Sequence, residues 1–145
     1  MSKPILIIHG PNLNTLGSRE PEIYGHETLD DVNKKCIEKA KSLGLEAICY
    51  QSNHEGELVS KIQEAGKSCA GLIINAGGYT HTSIAMMDAL LTLKIPVIEV
   101  HMSNIFKREE FRHHSYMSKA AKGVICGFGA ESYMLGIEGL AKLVK

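Results

Sequence analysis

The chain has 145 residues, 44% apolar and 22% charged, proportions that suit one globular domain and exclude a disordered chain. Sixteen basic side chains balance sixteen acidic ones, so no bulk attraction draws it to nucleic acid or an anionic membrane. The four cysteines, Cys36, Cys49, Cys69 and Cys126, are widely spaced with no Cys-x-x-Cys, which reads as thiols in a reducing compartment and not as a disulfide framework or a metal cage.

"ILIIHG", from Ile5, is an apolar, β-branched-rich run closed by glycine, as in a strand buried on both faces. It is too short for a secretory h-region, so a cytoplasmic protein is expected. "GSREPEIYG", Gly17 to Gly25, reads as a loop from its glycine edges and internal proline. "ETLDDVNKKCIEKAKSLG" predicts a helix with Leu29, Val32, Cys36, Ile37, Ala40 and Leu43 at helical spacing, Thr28 capping its start and Gly44 its end. A strand "LEAICY" follows, then a helix "EGELVSKIQEAGK" whose stripe is Leu58, Ile62 and Ala65, then a strand "GLIIN". "TSIAMMDALLTL" predicts a third helix with Ile84, Met87 and Leu91 on one side. "IPVIEVH" and "GVICG" are the last strands and "AESYMLGIEGLAKLVK" the closing helix.

Apolar strands alternating with helices predict an α/β domain over residues 1–145: a flavodoxin-like, doubly wound, five-stranded parallel sheet with helices on both faces. In that architecture a site lies beyond the carboxyl ends of the strands. The polar and titratable residues collect there, in "HGPNLNTLGSREPEIYG", "NAGGYTHTS" and "EVHMSN". Glu99 and His101 stand two apart at a strand end and therefore on one face. A carboxylate beside an imidazole fixes its tautomer and stabilises its cation, which suits a general acid; a buried ion pair that only packs is the plainer alternative. Asn12, Asn14 and Asn75 are turn formers individually, but together they could orient a water or grip a hydroxyl. His81 sits at a helix entry, Asp88 two turns along that helix, and Arg108 and Arg112 share a face if "FKREEFRHH" is helical. Arg19 and Tyr24 are reagents that an ordinary loop does not need. "GKS" at Gly66 ends a helix instead of following a strand, and "GFGAES" falls too near the C-terminus for a dinucleotide-binding unit.

The blocks "GPNLN", "GSREPEIYG", "QSNHEGEL", "YTHTSIA" with "DAL", "VIEVHMSN" and "REEFRHHSY" resemble, in order and spacing, the type II 3-dehydroquinate dehydratases of the shikimate and quinate pathways. The resemblance spans nearly the whole chain and implies a flavodoxin-like fold with no cofactor and no metal. It also implies roles. Tyr24 would remove a proton from C2 of 3-dehydroquinate, Arg19 would hold Tyr24 ionised, and Asn12 would position a water that stabilises the enolate. His101, backed by Glu99, would protonate the departing C1 hydroxyl. Asn75, His81 and Arg112 would bind substrate hydroxyls, and the backbone N–H groups of Met102 and Ser103 its carboxylate. Asp88 would reach a neighbouring subunit's site in a dodecamer of four trimers.

The residue chemistry fits that scheme. A free phenol, with pKa near ~10, is ionised to only about one part in a thousand at neutral pH, and a nearby guanidinium lowers that pKa by ~1–3. Arginine keeps its own proton while doing so. A lysine Schiff-base route lacks a candidate, because Lys94 precedes its strand. Departures from the family pattern are modest: proline and alanine are expected around "NAGGY", an arginine at Met87, and His-Ala at Phe106-Lys107, so Ala76 and Gly77 are expected to loosen their loop. Two other readings stay open on sequence alone: a flavin- or nucleotide-binding module, and an enzyme of this fold acting on another polyol acid.

Overall fold

The computed structural model describes residues 2–18, 20–24 and 26–144, with Tyr24 described by its backbone alone. The apolar runs form five parallel strands: β1 (Ile5–His9), β2 (Ala47–Gln51), β3 (Gly71–Asn75), β4 (Val97–His101) and β5 (Gly123–Cys126). Their order in the sheet is β2-β1-β3-β4-β5, the doubly wound, flavodoxin-like arrangement expected from the alternation of elements. The chain reverses direction across the sheet between β1 and β3, so a crevice opens there at the strand ends.

The helices are α1 (Pro21–Tyr24), α2 (Leu29–Ser42), α3 (Glu55–Ser68), α4 (Ile84–Leu91) and α5 (Glu131–Ala141). Side chains alternate across the sheet, and the two faces build two cores. Ile5, Ile7, Ile73 and Val100 pack with Val32 and Cys36 of α2 and Ile137 of α5. Leu6, Ile8, Leu72 and Ile74 pack with Leu58 and Ile62 of α3 and Met86 and Leu90 of α4. Each such side chain, fully buried, contributes roughly 1.5–3 kcal/mol. The central strands β1, β3 and β4 are buried throughout. The edge strands β2 and β5 leave Ile48 and Val124 exposed.

The caps follow from local chemistry. Thr28 accepts a hydrogen bond from the Asp31 N–H while the Asp31 carboxylate accepts one from the Thr28 N–H, a reciprocal capping box that starts α2. Gly44, at φ 79°, ends it.

Three expectations change. "GSREPEIYG" is not loop throughout, since Pro21–Tyr24 forms one helical turn. Proline at the first helical position loses nothing, because its missing N–H would have had no intrahelical partner. In α4 the buried residues are Met86, Ala89 and Leu90, while Ile84 and Leu91 are 53% and 54% exposed. Both faces of this helix are apolar, so periodicity cannot say which one meets the sheet. The segment "FKREEFRHH" is not an α-helix but two short 3-10 turns, Ile105–Lys107 and Glu110–Arg112. Among the described residues no helix is long and apolar enough to cross a membrane.

Candidate active site

A pocket of about 140 Å³ opens at the carboxyl ends of β1, β3 and β4. That is well below the ~300–1,000 Å³ of typical drug-sized or cofactor pockets. Its walls include Asn12, Asn75, His81, His101, Ser103 and Arg112.

The floor is set by two glycines. A Cβ on Gly10 would lie 2.2 Å from the Ala76 carbonyl oxygen, and Gly77 has φ +59° with the Pro11 carbonyl oxygen 3.0 Å from where its Cβ would stand. The chain leaving β1 and the chain leaving β3 therefore touch backbone to backbone. The Gly10 N–H donates to the Asn75 carbonyl at 2.7 Å. Ala76 and Gly77 do not loosen this loop: Ala76 is buried, and the Gly77 N–H donates to Asn75 Oδ1 at 3.2 Å. Asn12 takes the left-handed conformation that asparagine tolerates, φ 71°, with its N–H donating to Asn53 Oδ1 at 2.9 Å.

Glu99 and His101 project from β4 on its α3/α4 side, and both are buried. His101 Nε2 lies 2.5 Å from Glu99 Oε2. Ser115 and Ser118 each donate a hydroxyl to the same carboxylate, at 2.7 and 2.5 Å. Burial alone would raise the carboxyl pKa of Glu99. The His101 hydrogen bond and charge, with the two serine hydroxyls, outweigh it and hold the group below its ordinary value. An ionised Glu99 fixes the proton of His101 on Nε2 and leaves Nδ1 as the nitrogen available to the pocket.

His81 contributes a different imidazole. Its Nδ1 is 2.8 Å from the His114 carbonyl, which must be accepting an Nδ1–H. Burial lowers its pKa; the His114 hydrogen bond opposes this, and the positive groups His101 and Arg112 reinforce it. His81 is thus neutral near pH 7 with Nε2 an acceptor. Arg112 is held by Glu109, Nε to Oε1 at 2.8 Å, and Arg108 donates from Nη1 to Ser103 Oγ at 3.3 Å. Two guanidinium groups beside amide and imidazole side chains favour a small anionic, hydroxyl-bearing ligand.

The sequence candidates divide as follows. Asn12, Asn75, His81, His101, Met102, Ser103 and Arg112 line the pocket, and Glu99 stands behind His101. Asp88 lies on the exposed face of α4 and does not line the pocket of its own chain. Arg19 and the side chain of Tyr24 lie outside the described residues. Arg108, read from sequence as one of two arginines on a helical face, lines the pocket as well. Sequence reasoning passed over His9, Asn33 and Tyr133, which form a polar chain running from the half-buried Asn33 through the buried His9 and Tyr133 to Asn75. The available signal was His9 itself, a polar side chain closing a strand buried on both faces, which must find partners.

The family model described as Dehydroquinase class II matches residues 3–141. The chain belongs to the class II dehydroquinase family. A 3-dehydroquinate dehydratase from Rhodopseudomonas palustris (strain TIE-1) is 58% identical over 142 residues, which are 97% of this dehydroquinase and 94% of that relative. One from Phenylobacterium zucineum (strain HLK1) is 57% identical over 145 residues, the whole of both chains. The crystal structure of type II dehydroquinase from Propionibacterium acnes superposes with a TM-score of 0.94 at 44% identity, covering 98% of each chain.

Proposed function

We propose that this class II dehydroquinase carries out the reversible trans-dehydration of 3-dehydroquinate to 3-dehydroshikimate through an enolate, in shikimate or quinate metabolism. The activity of a type II 3-dehydroquinate dehydratase follows from the family; the assignment of steps to residues is our reading. The observation that carries it is the buried Glu99–His101 pair opening onto a small pocket with cationic walls.

Hydroxide is a poor leaving group, so loss of a β-hydroxyl from a ketone needs an acid at that oxygen. The remaining nitrogen of His101, Nδ1, supplies that proton, and the ionised Glu99 stabilises the imidazolium beforehand. On the opposite side of the substrate ring a base must take the C2 proton. Tyr24 fills that role as a phenolate sustained by Arg19, both on the segment that joins β1 to α2. The enolate oxygen requires a preorganised donor, supplied by a water that Asn12 orients. Asn75 and the neutral His81 grip hydroxyls, with Arg112 beside them, and the backbone at Met102 and Ser103 receives the carboxylate. No step in this scheme calls for a cofactor or a metal.

The exposed face of α4 supports a cross-subunit role for Asp88, because Ile84 and Leu91 flank it with apolar surface that another copy would bury. This agrees with a dodecamer of trimers in which Asp88 completes a neighbouring site. The four cysteines are all free thiols, which supports a reducing, cytoplasmic setting.

The test is direct. Added 3-dehydroquinate should give rising near-ultraviolet absorbance as the conjugated enone forms, and Tyr24→Phe should suppress it severely while leaving the fold intact. A folded, assembled protein that produces no such signal overturns the proposal.

A further inference from the structure

His9 and Asn75 are register partners at the ends of adjacent strands β1 and β3. Both side chains meet the hydroxyl of Tyr133, which reaches up from α5 and is itself fully buried. Asn75 Nδ2 lies 2.9 Å from the Tyr133 oxygen, His9 Nδ1 2.9 Å from it, and His9 Nε2 2.7 Å from Asn33 Oδ1. The proton positions in this chain follow from its buried end. The Gly77 N–H needs an acceptor, so Asn75 Oδ1 faces it and Nδ2 faces Tyr133. The phenol oxygen accepts from Asn75, so its hydrogen points to His9 Nδ1. That nitrogen is therefore bare, Nε2 carries the proton, and Asn33 Oδ1 accepts it. Reversing the Tyr133–His9 bond would leave the buried phenol hydrogen without an acceptor among the described residues, while the half-buried Asn33 amide closes the chain at its outer end.

From this geometry we infer that Tyr133 and His9 are positioning residues for the reaction: they hold the amide of Asn75 in one orientation, so that it offers the pocket its second Nδ2–H as a donor to a substrate oxygen. The inference rests on the reading of Asn75 as a substrate-binding residue. Neither Tyr133 nor His9 lines the pocket, so their effect passes through Asn75. Without the phenol hydroxyl the amide keeps, among the described residues, only the Gly77 contact, and its donor and acceptor edges lose their fixed assignment.

A double-mutant cycle separates this role from simple packing. Tyr133→Phe should raise KM for 3-dehydroquinate about tenfold and leave kcat within about twofold, the pattern of lost uniform binding. In an Asn75→Ala background the same change should move KM by less than about twofold. His9 offers the test without altering Tyr133. His9→Asn keeps an acceptor near the Nδ1 position and should stay within about twofold of the parent, whereas His9→Leu should reproduce the KM defect. An equal KM effect of Tyr133→Phe in both backgrounds overturns the inference, as does a His9→Asn defect as large as that of His9→Leu. A third readout needs no substrate: the Asn75 Nδ2 proton aimed at Tyr133 should exchange slowly with solvent in the parent protein and quickly in Tyr133→Phe. Unchanged exchange overturns the positioning role even if turnover is normal. Slow exchange in a parent that does not turn over 3-dehydroquinate would instead locate the failure in the functional reading.

Discussion

Lowering the pH should destabilise this fold through His9 in a window that the structure defines. The ring lies among neutral partners, Tyr133 on one nitrogen and Asn33 on the other, and among the described residues no opposite charge stabilises its cation. Burial therefore dominates and lowers its pKa from 6.5 to about 4, with the Asn33 hydrogen bond opposing. At 1.36 kcal/mol per pH unit, that fall corresponds to roughly 3 kcal/mol. The stabilisation is complete above pH 6.5. Between 6.5 and about 4 the unfolded chain takes up a proton that the folded ring refuses, so stability falls as the pH falls. Below about 4 this ring costs nothing further. Urea denaturation of the parent and of His9→Asn, run from pH 7.5 down to 4, isolates the effect, because ordinary carboxylate titrations occur in both proteins and cancel in the difference. The gap between them should shift by roughly 3 kcal/mol across the window, to the parent's disadvantage at low pH. A pH-independent gap, or an NMR titration placing the folded His9 near its ordinary pKa, would refute the reasoning.

Glu99→Gln should lower kcat by about 100-fold with little change in KM, since an amide cannot stabilise the His101 imidazolium. A kcat within about threefold of the parent in steady-state assays would remove His101 from the role of acid. Gly10→Ala should cost about 3 kcal/mol in a thermal or urea melt, because its Cβ would have to displace the Ala76 carbonyl from 2.2 Å; an unchanged melting temperature would contradict the backbone contact. Asp88→Ala should reduce turnover by about tenfold or more, as expected for losing a charged hydrogen bond, while leaving the far-ultraviolet circular dichroism unchanged. Unaltered turnover together with unaltered sedimentation would remove Asp88 from a neighbouring subunit's site.

Much of the fold was legible because burial writes itself into the sequence as period. The run at Ile5 and "GLIIN" are apolar at successive positions because both faces of β1 and β3 are covered. Thr28 and Gly44 marked the ends of α2 through chemistry local to a few residues. Period failed in α4, where Ile84 and Leu91 are as apolar as the buried Met86 and Leu90. It also failed in the segment carrying Arg108 and Arg112, since 3-10 turns leave no stripe. At the site, Glu99 and His101 could be paired from a spacing of two along one strand. The chain His9–Tyr133–Asn75 could not: its members are 124 and 58 residues apart, and only the strand order brings them together.

The contact between Gly10 and Ala76, with Gly77 against Pro11, has a practical meaning for anyone seeking to change what this pocket accepts. The two chains bearing Asn12 and Asn75 are welded at a point where no side chain fits, so their spacing is a constant of the scaffold. Room for a larger ring must be cut from the opposite wall, where Ser103, Arg108 and Arg112 stand on short turns outside the sheet. The floor is rigid backbone, and the turns are where the size of the pocket can be renegotiated.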